Sequence, residues 1–427
     1  MPRRLDTTDP DFAEDFDALT RADRAGAEDV DAAVASILAD VRARGDAAIA
    51  EYTERFDGVT GPLRIPVETL DRALAETPVP ARDALELAAS RIEAFHRAQM
   101  PAGLDYRDEL GVRLGLRWTP IEAVGLYVPG GSAAYPSSVL MNAIPARTAG
   151  VGRLAMTVPT PAGAFDPLVF AAARLAGIEE VYRIGGAQAV GTLAFGTESV
   201  PPVDKIVGPG NIWVVTAKRQ VFGHVGIDTI AGPSEVLVVW DGSCPPSWIA
   251  ADLLAQAEHD EAAQSILITP SHEYADAVEA EIANHLETLP RAATARASWE
   301  SHGACIVARD LEEAPALIDA IAPEHLQLAV ADPEPLAGRV RHAGAVFLGA
   351  LTPEAIGDYV GGPNHVLPTS RAARFASGLG VMDFMKRTTL LGCSADSLAA
   401  LGPAATALAA AEGLDAHGLS VALRLDG

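Results

Sequence analysis

AVGLYVPGG, residues 123–131, runs from a short apolar strand straight into a turn built of proline and two glycines. RLAMTVPT (153–160), EVYRIGG (180–186) and DKIVGPGN (204–211) repeat that strand-to-turn pattern, and PLVFAAARLAGI (167–178) reads as a helix among them. Strands alternating with helices predict βαβ units and a mostly parallel sheet. After SEVLVVWDG (234–242) the alternation resumes. SILITP, ACIVARD, HLQLAV and AVFLG read as strands, and EYADAVEAEIANHLETL and LEEAPALIDAIA as helices. The fold class is therefore α/β, with two incomplete doubly wound (Rossmann-like) parallel-sheet domains. We place the first at 121–232 and the second at 233–382. Residues 1–120 read as a mostly helical region, expected to pack on the second half, and residues 383–427 as a helical tail.

A chain of 427 residues exceeds what one hydrophobic core serves, so more than one domain is expected. Hydrophobic residues at 49% and charged residues at 21% are a globular composition. No apolar run reaches the roughly 18 residues of a membrane span. The N-terminal stretch MPRRLDTTDPDFAEDF lacks the apolar core of a signal peptide, so a soluble cytoplasmic protein is expected. The net charge of −25 repels a phosphate backbone and argues against a nucleic-acid partner. Three scattered cysteines, Cys244, Cys305 and Cys393, argue against a disulfide framework and a thiolate metal site, so any metal needs nitrogen and oxygen ligands.

Ligands on open parallel sheets bind beyond the carboxyl ends of the strands. YVPGGSAAYPSS, IGGAQAVG and VGPGN stand there, with Tyr127, Gln188 and Asn211 as aromatic or polar companions. None is a dinucleotide or Walker fingerprint. Singly, such glycines do no more than turn the chain; together they outline a cofactor-sized cleft. In LLAQAEHD, Gln256 and His259 are three apart on a predicted helix and share a face, either as a wet rim or as two arms toward one ligand. IAPEHLQL sets Glu324 beside His325, which is a solvated loop pair or an acid/base pair aimed at one point by a backbone turn near Pro323. GDYVGGPNHVLPT carries Asp358 and His365 in a Gly- and Pro-rich loop, and AEGLDAHG carries Glu412 and His417. Imidazole and carboxylate donors suit zinc or a similar divalent ion, although their spacing matches no metalloprotease motif.

GLYVPGG, GGAQAVG, VGPGN, DTIAGPSEVLV, LLAQAEHD, APEHLQL, GDYVGGPNHVLPT and AEGLDAHG, in this order and over nearly the whole chain, resemble the histidinol dehydrogenase family. The resemblance implies NAD-dependent, zinc-requiring oxidation of L-histidinol through L-histidinal to L-histidine, the last steps of histidine biosynthesis. It implies one zinc per subunit on Gln256, His259, Asp358 and His417, with Glu324 and His325 as the catalytic acid/base pair. It places Ser234, His365 and Glu412 on the substrate, together with His325 and the metal ligands, and Tyr127, Gln188 and Asn211 on NAD. It also implies a homodimer whose C-terminal tail crosses over, so that Glu412 and His417 serve the partner's site. The alternatives are a paralogue acting on another small alcohol, such as a sulfonated one, and a zinc hydrolase. Glu412, suited to a cationic amine, favours histidinol over an anionic substrate.

Overall fold

The computed structural model describes residues 2–22, 24, 30–130 and 135–426, so residues 131–134 of the YVPGGSAAYPSS turn lie outside the described residues. Two six-stranded sheets carry the fold. In the first half the order across the sheet is Arg64–Ile65, Glu180–Tyr182, Arg153–Thr157, Ala123–Tyr127, Lys205–Val207, Gly226–Ile227. In the second it is Arg3–Asp6, Ala304–Val307, Gln264–Thr269, Glu235–Trp240, His325–Ala329, Ala345–Leu348. Each half starts in mid-sheet, winds to one edge, then crosses back to build the other. The winding reverses between Ala123–Tyr127 and Lys205–Val207, and again between Glu235–Trp240 and His325–Ala329.

Neither half supplies its own sixth strand. Arg3–Asp6 joins the second sheet parallel to Ala304–Val307, and Arg64–Ile65 joins the first antiparallel to Glu180–Tyr182. Each covers an edge that would otherwise present unpaired backbone groups. The central strands are covered on both faces by helices, which is why EVLVVW is apolar at nearly every position and buried at all six.

The N-terminal region departs from its expected placement. Helix Asp31–Arg44 packs on Gly186–Phe195 and Ile212–Val221, Val67–Glu76 on Pro167–Leu175, and Val79–Ala98 on Pro136–Ala149, all in the first half. Val34, Leu38 and Val41 lie in one core with Val190 and Leu193. Gly191 lets that helix approach closely, because a Cβ there would stand 3.0 Å from Leu38. Arg3–Asp6 and helix Phe12–Thr20 go instead to the second half, with Leu5 and Leu19 in the core beside Leu237 and Ile306. The chain thus straps both halves together before building either.

The tail also differs from its expected course. It opens with a strand, Met385–Gly392, antiparallel to Arg113–Pro120, which pairs with Leu104–Arg107 in a three-stranded sheet. MKRTTLLG is mostly exposed and shows no apolar alternation, so its pairing is set by the partner strand rather than by local pattern. Helices Ala395–Ala411 and Asp415–Leu425 follow and pack on each other, leaving Leu408, Leu419 and Leu423 exposed. The Ala292–His302 helix also goes beyond the sequence reading. Among the described residues no helix is long and apolar enough to cross a membrane.

Candidate active site

Helix Ala314–Ile321 ends on Ala322 in the left-handed conformation, φ +49°. The turn therefore falls one residue before Pro323 and delivers Glu324 and His325 to the amino end of strand His325–Ala329. Gly344 N–H donates to the Pro323 carbonyl and Ala345 N–H to that of Glu324, both at 2.9 Å. Both side chains are buried, Glu324 6% and His325 5% exposed. The second half thus presents the amino ends of its strands to the candidate chemistry, opposite to the carboxyl-end rule for such sheets.

The neighbouring strand sets the pair's geometry. Glu235 N–H donates to Glu324 Oε2 at 2.9 Å, and His325 Nδ1 donates to the Glu235 carbonyl at 3.0 Å. With Nδ1 engaged, His325 Nε2 carries the lone pair, and it is buried without a partner. Asp358, on helix Glu354–Tyr359, holds Oδ1 3.8 Å from that nitrogen. His365 repeats the device: its Nδ1 donates to the Asp358 carbonyl at 2.9 Å, and Nε2 faces Ser138 Oγ at 3.5 Å. Ser138 belongs to helix Pro136–Ala149 of the first half, so this contact joins the two halves.

Gln256 and His259 are not both on the helix that their spacing predicts. Helix Pro246–Ala257 stops before His259, which sits in the following turn, exposed, while Gln256 is 1% exposed. His259 Nδ1 donates back to the Ala255 carbonyl at 2.8 Å, leaving Nε2 free, the arrangement metal-ligating histidines adopt. Gln256 Oε1 is buried without a partner. This helix packs on Glu354–Tyr359, the helix that carries Asp358. An orphaned amide oxygen, a free imidazole nitrogen and a carboxylate are a donor set that fits zinc. His325, Glu354 and Asp358 also bring one ligand atom each within 4.8 Å of one another, a cluster sharing only Asp358 with the four ligands inferred from sequence.

Glu354 is a buried residue of this cluster that no sequence motif singles out. It lies four residues before Asp358 on one helix face, is 3% exposed, and holds Oε1 3.5 Å from His325 Nδ1. That i,i+4 carboxylate pair was the available signal. Ser234 stands, half-buried, directly before strand Glu235–Trp240. Glu412 and His417 are not brought to this cluster: both are exposed on or beside the tail helices.

Burial raises the Glu324 and Glu354 carboxyls well above the usual carboxylate range and lowers the pKa of His325 and His365. His325 is therefore neutral at pH 7 and able to accept a proton. A cavity of about 540 Å³ opens on His325, Asp358 and His365, with Phe95 and Leu379 on its apolar side.

Across the first half, the glycine turns gather at the carboxyl ends of the interior strands. Gly208, at φ +116°, lies so close to Tyr127 that a Cβ would stand 2.1 Å from its carbonyl oxygen. A Cβ on Gly130 or on Gly185 would strike Pro159, at 2.6 and 2.5 Å. These glycines permit close approach of three loops, beyond turning the chain. Lys218 and Asp228, a buried pair, clamp the VGPGN turn, Lys218 Nζ donating to the Gly208 carbonyl at 2.9 Å and Gly208 N–H to Asp228 at 2.8 Å. Tyr127 ends one strand of the winding reversal and Asn211 follows the other, and Gln188 sits in the first turn of helix Gly186–Phe195. The Tyr127 hydroxyl accepts the Gly186 N–H at 3.2 Å, and Asn211 caps its own helix through Trp213 and Val214. A glycine cradle at the reversal of a doubly wound sheet fits a dinucleotide.

The family model for histidinol dehydrogenase matches residues 20–425. The chain belongs to the histidinol dehydrogenase family. Among its relatives, a histidinol dehydrogenase of Rhodospirillum rubrum is 63% identical over 430 residues, covering 100% of this chain and 99% of the relative. One of Ruegeria pomeroyi is 61% identical over 429 residues, with 100% and 99% covered. The crystal structure of histidinol dehydrogenase from Elizabethkingia anophelis is similar at TM-score 0.95 and 35% identity, covering 100% of this chain and 98% of that one. As a member of this family the chain is an oxidoreductase of histidine biosynthesis with a mixed α/β fold of parallel sheets.

Proposed function

We propose that this chain oxidises L-histidinol through L-histidinal to L-histidine in the cytoplasm, reducing two NAD for each histidinol and holding one zinc per subunit. The observation that carries the reading is the buried His325 Nε2, free of any partner and 3.8 Å from Asp358, at the wall of a substrate-sized cavity. Gln256, His259 and Asp358 would hold the zinc, with His417 of a second copy as the fourth ligand, and Tyr127, Gln188 and Asn211 would line NAD. Zinc, when bound, orients the amino alcohol, and NAD, when bound, accepts hydride. His325 Nε2 takes the alcohol proton, its ring fixed by the Glu235 carbonyl at Nδ1. Glu324, its carboxyl oriented by the Glu235 N–H, takes a proton from the water that adds to the aldehyde. Ser234, His365 and Glu412 hold the substrate, Glu412 supplying a negative charge for its ammonium. Enclosure keeps the aldehyde from solvent between the steps. The three cysteines are unpaired, as suits a reducing compartment.

The test is the yield of NADH per L-histidinol consumed. Two supports the reading, one would make the enzyme a plain alcohol dehydrogenase, and none, as for a hydrolase, overturns it. Chelation should abolish turnover and added zinc restore it; full activity in metal-free protein refutes the zinc assignment.

A further inference from the structure

Glu235 stands out because both members of the acid/base pair are bonded to its backbone, while its side chain makes a separate ion pair. Its peptide N–H donates to Glu324 and its carbonyl accepts from His325, at 2.9 and 3.0 Å. The side chain turns into a separate cavity of about 390 Å³, where it ion-pairs with Arg24. The two side chains are only 7% and 8% exposed. Arg24 also donates to the Ser234 carbonyl at 3.4 Å and the Ala262 carbonyl at 3.2 Å, tying together the starts of two neighbouring strands. On the other flank Ser370 N–H donates to Glu235 Oε1 at 3.1 Å. Ser370 and Arg371 are successive non-glycine residues in left-handed backbone, φ +52° and +65°. Such backbone persists where the surroundings over-determine it, and here the Glu235 carboxylate is one of the groups holding it.

We infer that the Arg24–Glu235 pair is a positioning device for the candidate catalytic residues. It fixes the first peptide of strand Glu235–Trp240, and that peptide in turn sets the Glu324 carboxylate and the His325 ring. Arg24 and Glu235 touch no substrate themselves. The pair links Arg24, from the start of the chain, to the first residue of a central strand of the second sheet. A buried ion pair adds little net stability over apolar groups of similar volume, whereas breaking it from one side leaves an uncompensated charge. Geometry at the pair, more than stability, is what it contributes.

This inference rests on the proposed oxidation, and the test separates the two. In the native enzyme, absence of NADH with histidinol defeats the reading of function itself. With that activity present, the variant Arg24→Met/Glu235→Leu removes both charges without orphaning either. It should keep its thermal midpoint and its KM for histidinol within about threefold while kcat falls at least about tenfold, the size of effect a small displacement of catalytic groups produces. Arg24→Lys, which keeps the charge opposite Glu235, should retain most of kcat. A folded double variant with native kcat overturns the inference, as does a loss confined to KM. Should the double variant not fold, Arg24→Lys against Arg24→Met carries the comparison, and equal kcat in those two overturns it as well.

Discussion

At residue scale, three imidazoles solve the same problem in the same way. His259, His325 and His365 each spend Nδ1 on a backbone carbonyl and leave Nε2 for other work. That fixes each tautomer without adding a charge to a crowded site. The presence of His259, His325 and His365 is visible in the sequence, but the carbonyl that orients each is not. For His325 it comes from residue 235, ninety positions away in the chain. From this geometry, His325→Ala should slow alcohol oxidation by about 10²–10⁴-fold, the usual worth of a positioned general base. Glu324→Gln, which keeps the acceptor for the Glu235 N–H, should stall aldehyde oxidation more than alcohol oxidation. Separate rate measurements on histidinol and histidinal decide this, and equal losses on both substrates in both variants would refute the division of roles.

Between elements, the buried contact of helix Pro246–Ala257 with strand His325–Ala329 includes one costly group. Gln327 Nε2 donates to Asp252 Oδ2 at 2.7 Å, yet burial pushes the Asp252 carboxyl from 3.8 up to about 6. Between those values the folded chain still holds a proton that the unfolded chain has released, so stability falls as pH rises, and the full cost is present above about 6. Asp252→Asn keeps the acceptor for Gln327 and removes that cost. It should stabilise the protein at pH 7.5 by on the order of 2 kcal/mol and hardly at all near pH 4. Urea midpoints at the two pH values test it; an equal shift at both would mean the carboxyl is not the cause. Most elements were legible from period and turn residues, because the parallel strands are continuous apolar runs bounded by Gly and Pro. Met385–Gly392 was not, since an exposed strand needs no apolar face of its own.

On the scale of the whole molecule, the proposed site residues do not all meet within one chain. Gln256, His259, Asp358 and His325 stand in the second half, Ser138 reaches in from the first, and Glu412 and His417 are carried outward on the tail. Leu408, Leu419 and Leu423 are exposed on the same helices, an apolar face suited to a second copy. If tails are exchanged, a mixed dimer of His259→Ala and His417→Ala chains contains one site with both histidines intact. Random mixing should then restore about a quarter of native activity from two inactive parents, as two-fold symmetry requires. No recovery in verified mixed dimers counts against the exchange.

The sequence by itself determined the alternation of strand and helix, the two halves, the glycine turns and, through resemblance, the family and the residue types of the site. These are local or are carried by ordered motifs, so no knowledge of packing is required to read them. Only the tertiary structure decided which sheet each N-terminal element joins, because Asp31–Arg44 is amphipathic enough to lie on either half and the match at Gly191 selects the first. It alone put Glu354 beside His325 and Arg24 beneath Glu235, contacts between residues whose separation in sequence carries no period or motif. AVGLYVPGG announced a parallel strand and a turn; that Gly208 from the next strand over must lack a side chain for that turn to close was a fact of three dimensions.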